Sequence, residues 1–240
     1  MTATERVLGV LGGMGPLASA HFMVRLTQLT PAASDQEHVP AILWSDPRVP
    51  DRTVRAPVGA ADPLPWLLRG IDGLERAGCG AIAIPCNTAH RWYEPMQQHA
   101  RVPILHIVDA AAAELTSTGE RRIGVMATEA ALEMRLYQDR LGALGWDSLV
   151  PTVDEMALLV TPAIRLVKLN RSAEAYAPLA EVAQRLSVRG AAAIVLGCTE
   201  IPLGLQAGPA PDLPIVDSID ALARAAIAWA RDCWNDAACA

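Results

Sequence analysis

Two cysteines stand where apolar runs give way to small hydrogen-bonding residues. In AIAIPCNTAH (81–90), Cys86 precedes Asn87 and Thr88; in IVLGCTE (194–200), Cys198 precedes Thr199 and Glu200. A thiol that only fills core space belongs inside such a run, not at its mouth. Two thiols on opposite sides of one carbon can invert it. A thiolate removes the proton from one face and a thiol delivers another to the opposite face. Sulfur suits the task because its pKa, about 8.5, falls to about 3.5–7.5 at a helix N-terminus or beside a cation. Asn87, Thr88 and Thr199, with the amides of a helix start, suit a substrate carboxylate. Negative charge gathers there as the α-carbon loses its proton, and exclusion of water strengthens each contact. His90, four residues after Cys86, either assists that thiol or serves as a helix cap. Glu200 either serves the site or answers the helix dipole. Cys79, Cys233 and Cys239 precede no such polar cluster and read as packing.

A second chemical feature is GVLGGMGPLAS (9–19), a strand, a glycine turn and a helix start. It satisfies GxGxxA, the dinucleotide fingerprint, and Asp46 closes the next strand where a ribose-binding acid would sit. Pro16 removes a backbone donor from the turn, and Asp46 comes later than the usual spacing of about 20 residues. The loop reads better as backbone that approaches a small substrate closely, with Pro16 opening the helix. Of the 20 basic residues, Lys168 alone is lysine. Coding bias explains that, or a compact ammonium is needed there.

These residues need elements to hold them. Strand-like runs cover Arg6–Gly12, Val39–Ser45, Gly80–Cys86, Val102–Val108, Arg121–Ala127, Ser148–Thr152, Ala191–Gly197 and Leu213–Ser218. Most are continuously apolar, as expected of strands covered on both faces. Helix-length segments lie between them, including Ala18–Leu29, Leu64–Ala77, Leu132–Leu144 and Ala173–Val188. The alternation predicts an α/β fold with mainly parallel sheets flanked by helices. The halves repeat. RVLGVLG (6–12) matches RRIGVMA (121–127), and GAIAIPCNT (80–88) matches AAAIVLGCT (191–199), setting Cys86 over Cys198 at an offset of 112. VPILHIVDAAA (102–112) matches LPIVDSIDALA (213–223) at an offset of 111. Three ordered matches at nearly one offset indicate two similar α/β units. Ligands of parallel sheets bind beyond the carboxyl ends of the strands, so both thiols are expected to point into one cleft from opposite walls.

The totals exclude several classes. A chain of 240 residues, 52% hydrophobic and 19% charged, builds a sizeable core. A net charge of −6 argues against a nucleic-acid binder. No apolar run reaches the roughly 18 residues of a membrane helix, and Met1–Arg6 leads directly into a strand-like run, so a signal peptide is not expected. Five cysteines without a CxxC pair fit neither a metal site nor a disulfide scaffold. The expectation is a reduced, cytoplasmic protein.

Taken together, GVLGGMGPLAS, DQEHVP (35–40), VPDRT (49–53), PCNTAH (85–90) and GCTEIPL (197–203) resemble the aspartate/glutamate racemase family over Val7–Asp220. The resemblance is nearest to its cofactor-independent aspartate racemases. It implies two pseudo-twofold-related domains, 1–103 plus 216–240 and 104–215, with the site in the interdomain cleft. It further implies a homodimer that needs no cofactor. Cys86 and Cys198 would be the two bases. Arg52 and Lys168 would grip substrate carboxylate, and Met14 of the glycine loop would join the substrate-binding residues. The sequence departs from the family's usual amides at Trp44-Ser45-Asp46. Asp46 either holds the substrate ammonium or disfavours a second carboxylate, so glutamate or another amino acid stays open beside aspartate. The expected activity is an isomerase, a PLP-independent amino acid racemase acting on a dicarboxylic amino acid. The alternatives are a hydantoin racemase, maleate isomerase or arylmalonate decarboxylase type of activity, or a non-catalytic amino-acid-binding paralogue. A PLP enzyme using Lys168 is the remaining rival.

Overall fold

Residues 7–52, 61–115 and 121–238 are described by a computed structural model, with side chains described through Arg231. Thr53 of the Asp-Arg-Thr motif, Cys239 and the side chain of Cys233 lie outside the described residues. The chain divides into two compact units. One comprises Met1–Ala110 with Ile219–Ala240, the other Ala111–Ser218.

In the first unit, β1 (Val7–Gly12) is buried along nearly its whole length. It pairs in parallel with β2 (Ala41–Ser45) on one side and β3 (Cys79–Ala83) on the other, and β3 pairs with β4 (Ile104–Leu105). The order is β2-β1-β3-β4. The helices are α1 (Pro16–Leu29), α2 (Leu64–Arg76), α3 (Tyr93–His99) and α4 (Ile107–Leu115). Pro16 stands at the first turn of α1, where a missing N–H costs nothing. Leu67, Ile71 and Leu74 form one stripe of α2 and are wholly buried in a cluster with Leu11, Ile82 and Ile84.

The second unit repeats the plan. Its strands are β5 (Arg122–Ala127), β6 (Asp147–Leu149), β7 (Ala193–Gly197) and β8 (Ile215–Asp217), in the order β6-β5-β7-β8, again all parallel. Its helices are α5 (Glu129–Glu133), α6 (Leu136–Ala143), α7 (Val153–Glu155), α8 (Thr161–Lys168), α9 (Ser172–Val188) and α10 (Ile201–Leu205). A π-helical turn, Met156–Val160, joins α7 to α8. The last helix, α11 (Ser218–Ala238), follows β8 but, from Ile219 on, belongs to the first unit. A bidentate pair of Arg25 on Asp220, at 2.6 and 2.7 Å, fixes it there. Arg231 also donates to the Pro31 carbonyl.

The α/β class, the parallel sheets and the repeat agree with the sequence reading; several element limits do not. The strand expected over Gly80–Cys86 ends at Ala83, so Pro85 and Cys86 lie in the following loop. The strand expected over Val102–Val108 shrinks to two residues, because His106 starts a helix: its Nδ1 accepts the Val108 N–H at 3.1 Å. Thr152 leaves the expected sixth strand to make a reciprocal capping box with Glu155. The expected helix over Leu132–Leu144 is two helices, broken where Arg135 adopts φ +55°. Among the described residues no helix is long and apolar enough to cross a membrane.

Candidate active site

In each unit the residues singled out by chemistry gather beyond the carboxyl ends of the strands. Gly13, following β1 at φ +92°, lies against the Asp46 backbone following β2. A Cβ on Gly13 would come within 2.4 Å of that backbone, so only glycine permits the approach. Ser19 takes the Gly13 N–H at 2.8 Å and donates to the Gly15 carbonyl at 2.9 Å. The amide that a phosphate would need is therefore occupied, which removes the nucleotide reading of this loop.

Arg52 ties the loops after β1 and β2 together. It donates to the carbonyls of Met14 at 3.1 Å, Pro50 at 3.1 Å and Val49 at 3.3 Å. Its buried Nε finds no partner among the described residues. Ser45 is exposed at the end of β2. Asp46 is held by Arg48 through Nε at 2.8 Å, Nη2 at 2.9 Å and the backbone N–H at 3.0 Å. These bonds, with the Arg48 charge, lower its pKa to about 2. Asp46 is thus a carboxylate already engaged by a cation.

Cys86 is buried, in one apolar cluster with Met14, Val49 and Ala89. Asn87 and Thr88, which open a short 3-10 turn (Thr88–Trp92), are buried too. His90, in that turn, meets backbone groups through both ring nitrogens. Nδ1 meets the Cys86 carbonyl at 3.0 Å, and Nε2 accepts the Ile107 N–H at 3.2 Å.

The second unit carries Cys198 directly after β7, 2% exposed. Its Sγ donates to Glu200 Oε2 at 3.1 Å, and the Thr199 hydroxyl donates to the same oxygen at 3.1 Å. Burial, then the Glu200 charge, push the Cys198 thiol well above its ordinary pKa; Lys168 pulls the other way. This differs from the lowered value expected at a helix start, because burial and the Glu200 carboxylate outweigh the Lys168 charge. Lys168 ends α8 with its side chain exposed, close enough to Cys198 to act on its charge. Cys79 is a buried strand residue whose pKa is raised by burial, as suits packing.

Sequence reasoning missed Tyr137. It is wholly buried under the Cys198 loop, and a Cβ on Gly197 would come within 2.5 Å of its ring. Its side chain hydrogen-bonds Ser218 at the start of α11, and burial raises its pKa. A tyrosine placed mid-helix in sequence carries no signal of that contact. His106 was also missed; its ring packs edge-on against His90 at 4.8 Å and Tyr93 at 4.5 Å.

Among the described residues no group of three or more His, Cys, Asp or Glu could hold a metal. The arrangement offers each unit one buried thiol at the end of the equivalent strand, β3 or β7, with polar groups next to it. The chain is similar to known proteins. The broad specificity amino-acid racemase RacX of Bacillus subtilis (strain 168) is 28% identical over 225 residues, 92% of this chain and 96% of its own. Picrophilus torridus aspartate racemase superposes with a TM-score of 0.81 at 29% identity, covering 94% of each chain. Glutamate racemase from Francisella tularensis subsp. tularensis SCHU S4, in complex with D-glutamate, has a TM-score of 0.67 at 16% identity. It covers 95% of this chain and 82% of its own, a likeness of fold alone. The family model for Asp/Glu/hydantoin racemases matches residues 11–226, which takes in both cysteine loops. With a duplicated parallel sheet and a thiol in the loop that follows the equivalent strand of each half, the chain belongs to the Asp/Glu/hydantoin racemase family.

Proposed function

We propose that this protein is an amino acid racemase in which Cys86 and Cys198 exchange the α-proton as a pair of bases, without a cofactor. The observation that carries the reading is the Cys198–Glu200 contact at 3.1 Å. A thiol kept protonated at neutral pH is a proton donor in waiting, and its equivalent in the other half is the natural acceptor. In one direction the Cys86 thiolate takes the α-proton and the Cys198 thiol supplies one to the opposite face. Cys86 ends as thiol and Cys198 as thiolate, the state that processes the opposite enantiomer. Glu200, 3.1 Å from the Cys198 sulfur, would take its proton when that state must form without substrate. Asn87, Thr88 and Thr199 would receive the α-carboxylate, with Met14 lining the pocket.

For the substrate, we favour aspartate or glutamate. Arg52 and Lys168 supply positive charge for a second carboxylate. Asp46, which on sequence alone could repel one, is compensated by Arg48. The aspartate racemase and broad-specificity relatives support this reading. Thiols that must remain reduced fit a cytoplasmic setting, and the family resemblance supports a homodimer.

The test is incubation of each enantiomer of aspartate, glutamate and a panel of neutral amino acids in D₂O. Loss of optical activity, with one deuterium gained at Cα in the inverted product, is expected for at least one of them. A panel in which nothing exchanges its α-proton sinks the reading.

A further inference from the structure

His90 is a buried histidine, 3% exposed, that the two-thiol chemistry does not use directly. Its hydrogen bonds fix its protonation pattern. Ile107 N–H can only donate, so Nε2 must accept and carry no proton; Nδ1, facing the Cys86 carbonyl, must then be the N–H. A second proton would set two donors head to head across 3.2 Å. The ring is therefore the neutral Nδ1–H tautomer. It spans from the carbonyl of the residue carrying the thiol to the first amide of α4, an amide that has no partner within its own helix. Next to it, His106 Nδ1 takes the N–H of Val108, two residues on. The two rings pack against each other and against Tyr93. The Cys86 loop is otherwise a tight turn, with Cys86 N–H on the Ile84 carbonyl at 2.8 Å.

We propose that His90 is a positioning residue for Cys86: as the Nδ1–H tautomer it clamps the Cys86 backbone to the N-terminus of α4 and so sets where the thiol sits. This rests on the reading of Cys86 as one of the two bases. A displacement of the order of 1 Å at a reacting group costs about 100-fold in rate, so a backbone tie one residue's length from the sulfur has leverage on kcat.

Two substitutions separate the two bonds. In His90→Asn the amide nitrogen can lie where Nδ1–H lies and keep the bond to Cys86, while the bond to Ile107 is lost. In His90→Gln the longer amide reaches Ile107 but offers no donor at the Nδ1 position. The expected result is that His90→Asn stays within about fivefold of the parent kcat, whereas His90→Gln falls about 10- to 100-fold. KM should change less than about threefold in both, as for a group acting at the transition state. Ring ¹⁵N shifts of the full-length protein at neutral pH give a readout independent of turnover: Nδ1 should be protonated and Nε2 bare. An Nε2–H or doubly protonated ring overturns the proposal, even where a variant fails to fold. So does a His90→Gln variant as active as the parent, or a His90→Asn variant no better than His90→Gln. Full activity in Cys86→Ala overturns the two-thiol reading and this role with it. Loss of activity in Cys86→Ala beside a fully active His90→Gln overturns this inference alone.

Discussion

Cys198, hydrogen-bonded to Glu200, contributes a pH dependence of definite sign. The folded-state pKa of Cys198 lies above the ordinary thiol value. Its contribution to stability is therefore complete below that ordinary value, about 8.5. It is lost as pH rises from there toward the folded pKa, because the unfolded chain releases the proton first. Urea unfolding of the parent should weaken above pH about 9. Cys198→Ser should remove part of that slope, and Glu200→Gln, by deleting a neighbouring negative charge that raises the folded-state pKa, should leave the onset in place but make the total loss smaller and end it at a lower pH. Glu200→Gln should also lower kcat about 100- to 10,000-fold, the scale of one acid–base contribution. An unchanged kcat would restrict Glu200 to a structural role. At this scale the sequence was partly legible. The thiols were marked by matching positions and polar neighbours. The occupation of Asp46 by Arg48 turns on a two-residue side-chain bond, and the His90 tie depends on an amide 17 residues away; neither leaves a pattern in spacing.

Among the elements, α2 shows how local propensity is set aside for packing. Gly70 and Gly73 both lie inside it, each costing about 1 kcal/mol against alanine. They open a groove for the Trp44 ring from β2; a Cβ on Gly73 would stand 2.4 Å from Trp44 Cζ3. Gly73→Ala should therefore destabilise by a net of about 1–2 kcal/mol, overpacking outweighing the helix gain. Its thermal midpoint should fall by about 2–4 °C for each kcal/mol. A midpoint that rises would show that the ring yields freely. Strand identity was legible here because covered parallel strands are continuously apolar, and so were the long amphipathic helices. Element limits were not, because caps decided them. His106 and Thr152 each end an apolar or β-branched run by turning a side chain onto backbone amides. The break at Arg135 rests on a left-handed residue that composition does not announce. The helical stretch Val153–Lys168, which delivers Lys168, contains a π turn that shifts its periodicity and hid it.

Over the whole molecule, the duplication was legible from three aligned segments, and the two sheets carry the same strand order. Under the proposed chemistry the halves divide the work, one thiol per enantiomer. Each single substitution, Cys86→Ser or Cys198→Ser, should abolish racemisation yet allow slow α-deuterium exchange, with retention, from one enantiomer only and a different one in each case. Exchange of both enantiomers by either variant would point to a single base. The parent should show equal kcat/KM for the two enantiomers, since their interconversion has an equilibrium constant of one. A final consequence follows from where the units meet along the chain. The third repeat segment sets the start of α4 against the start of α11, and the boundary between units falls inside α4, at Ala110/Ala111, and again at Ser218/Ile219. Each repeat thus ends in a helix that passes, in whole or in part, to the other repeat. A gene encoding one repeat alone would yield a chain with its closing helix displaced, able to complete itself only by trading that helix with a sister copy.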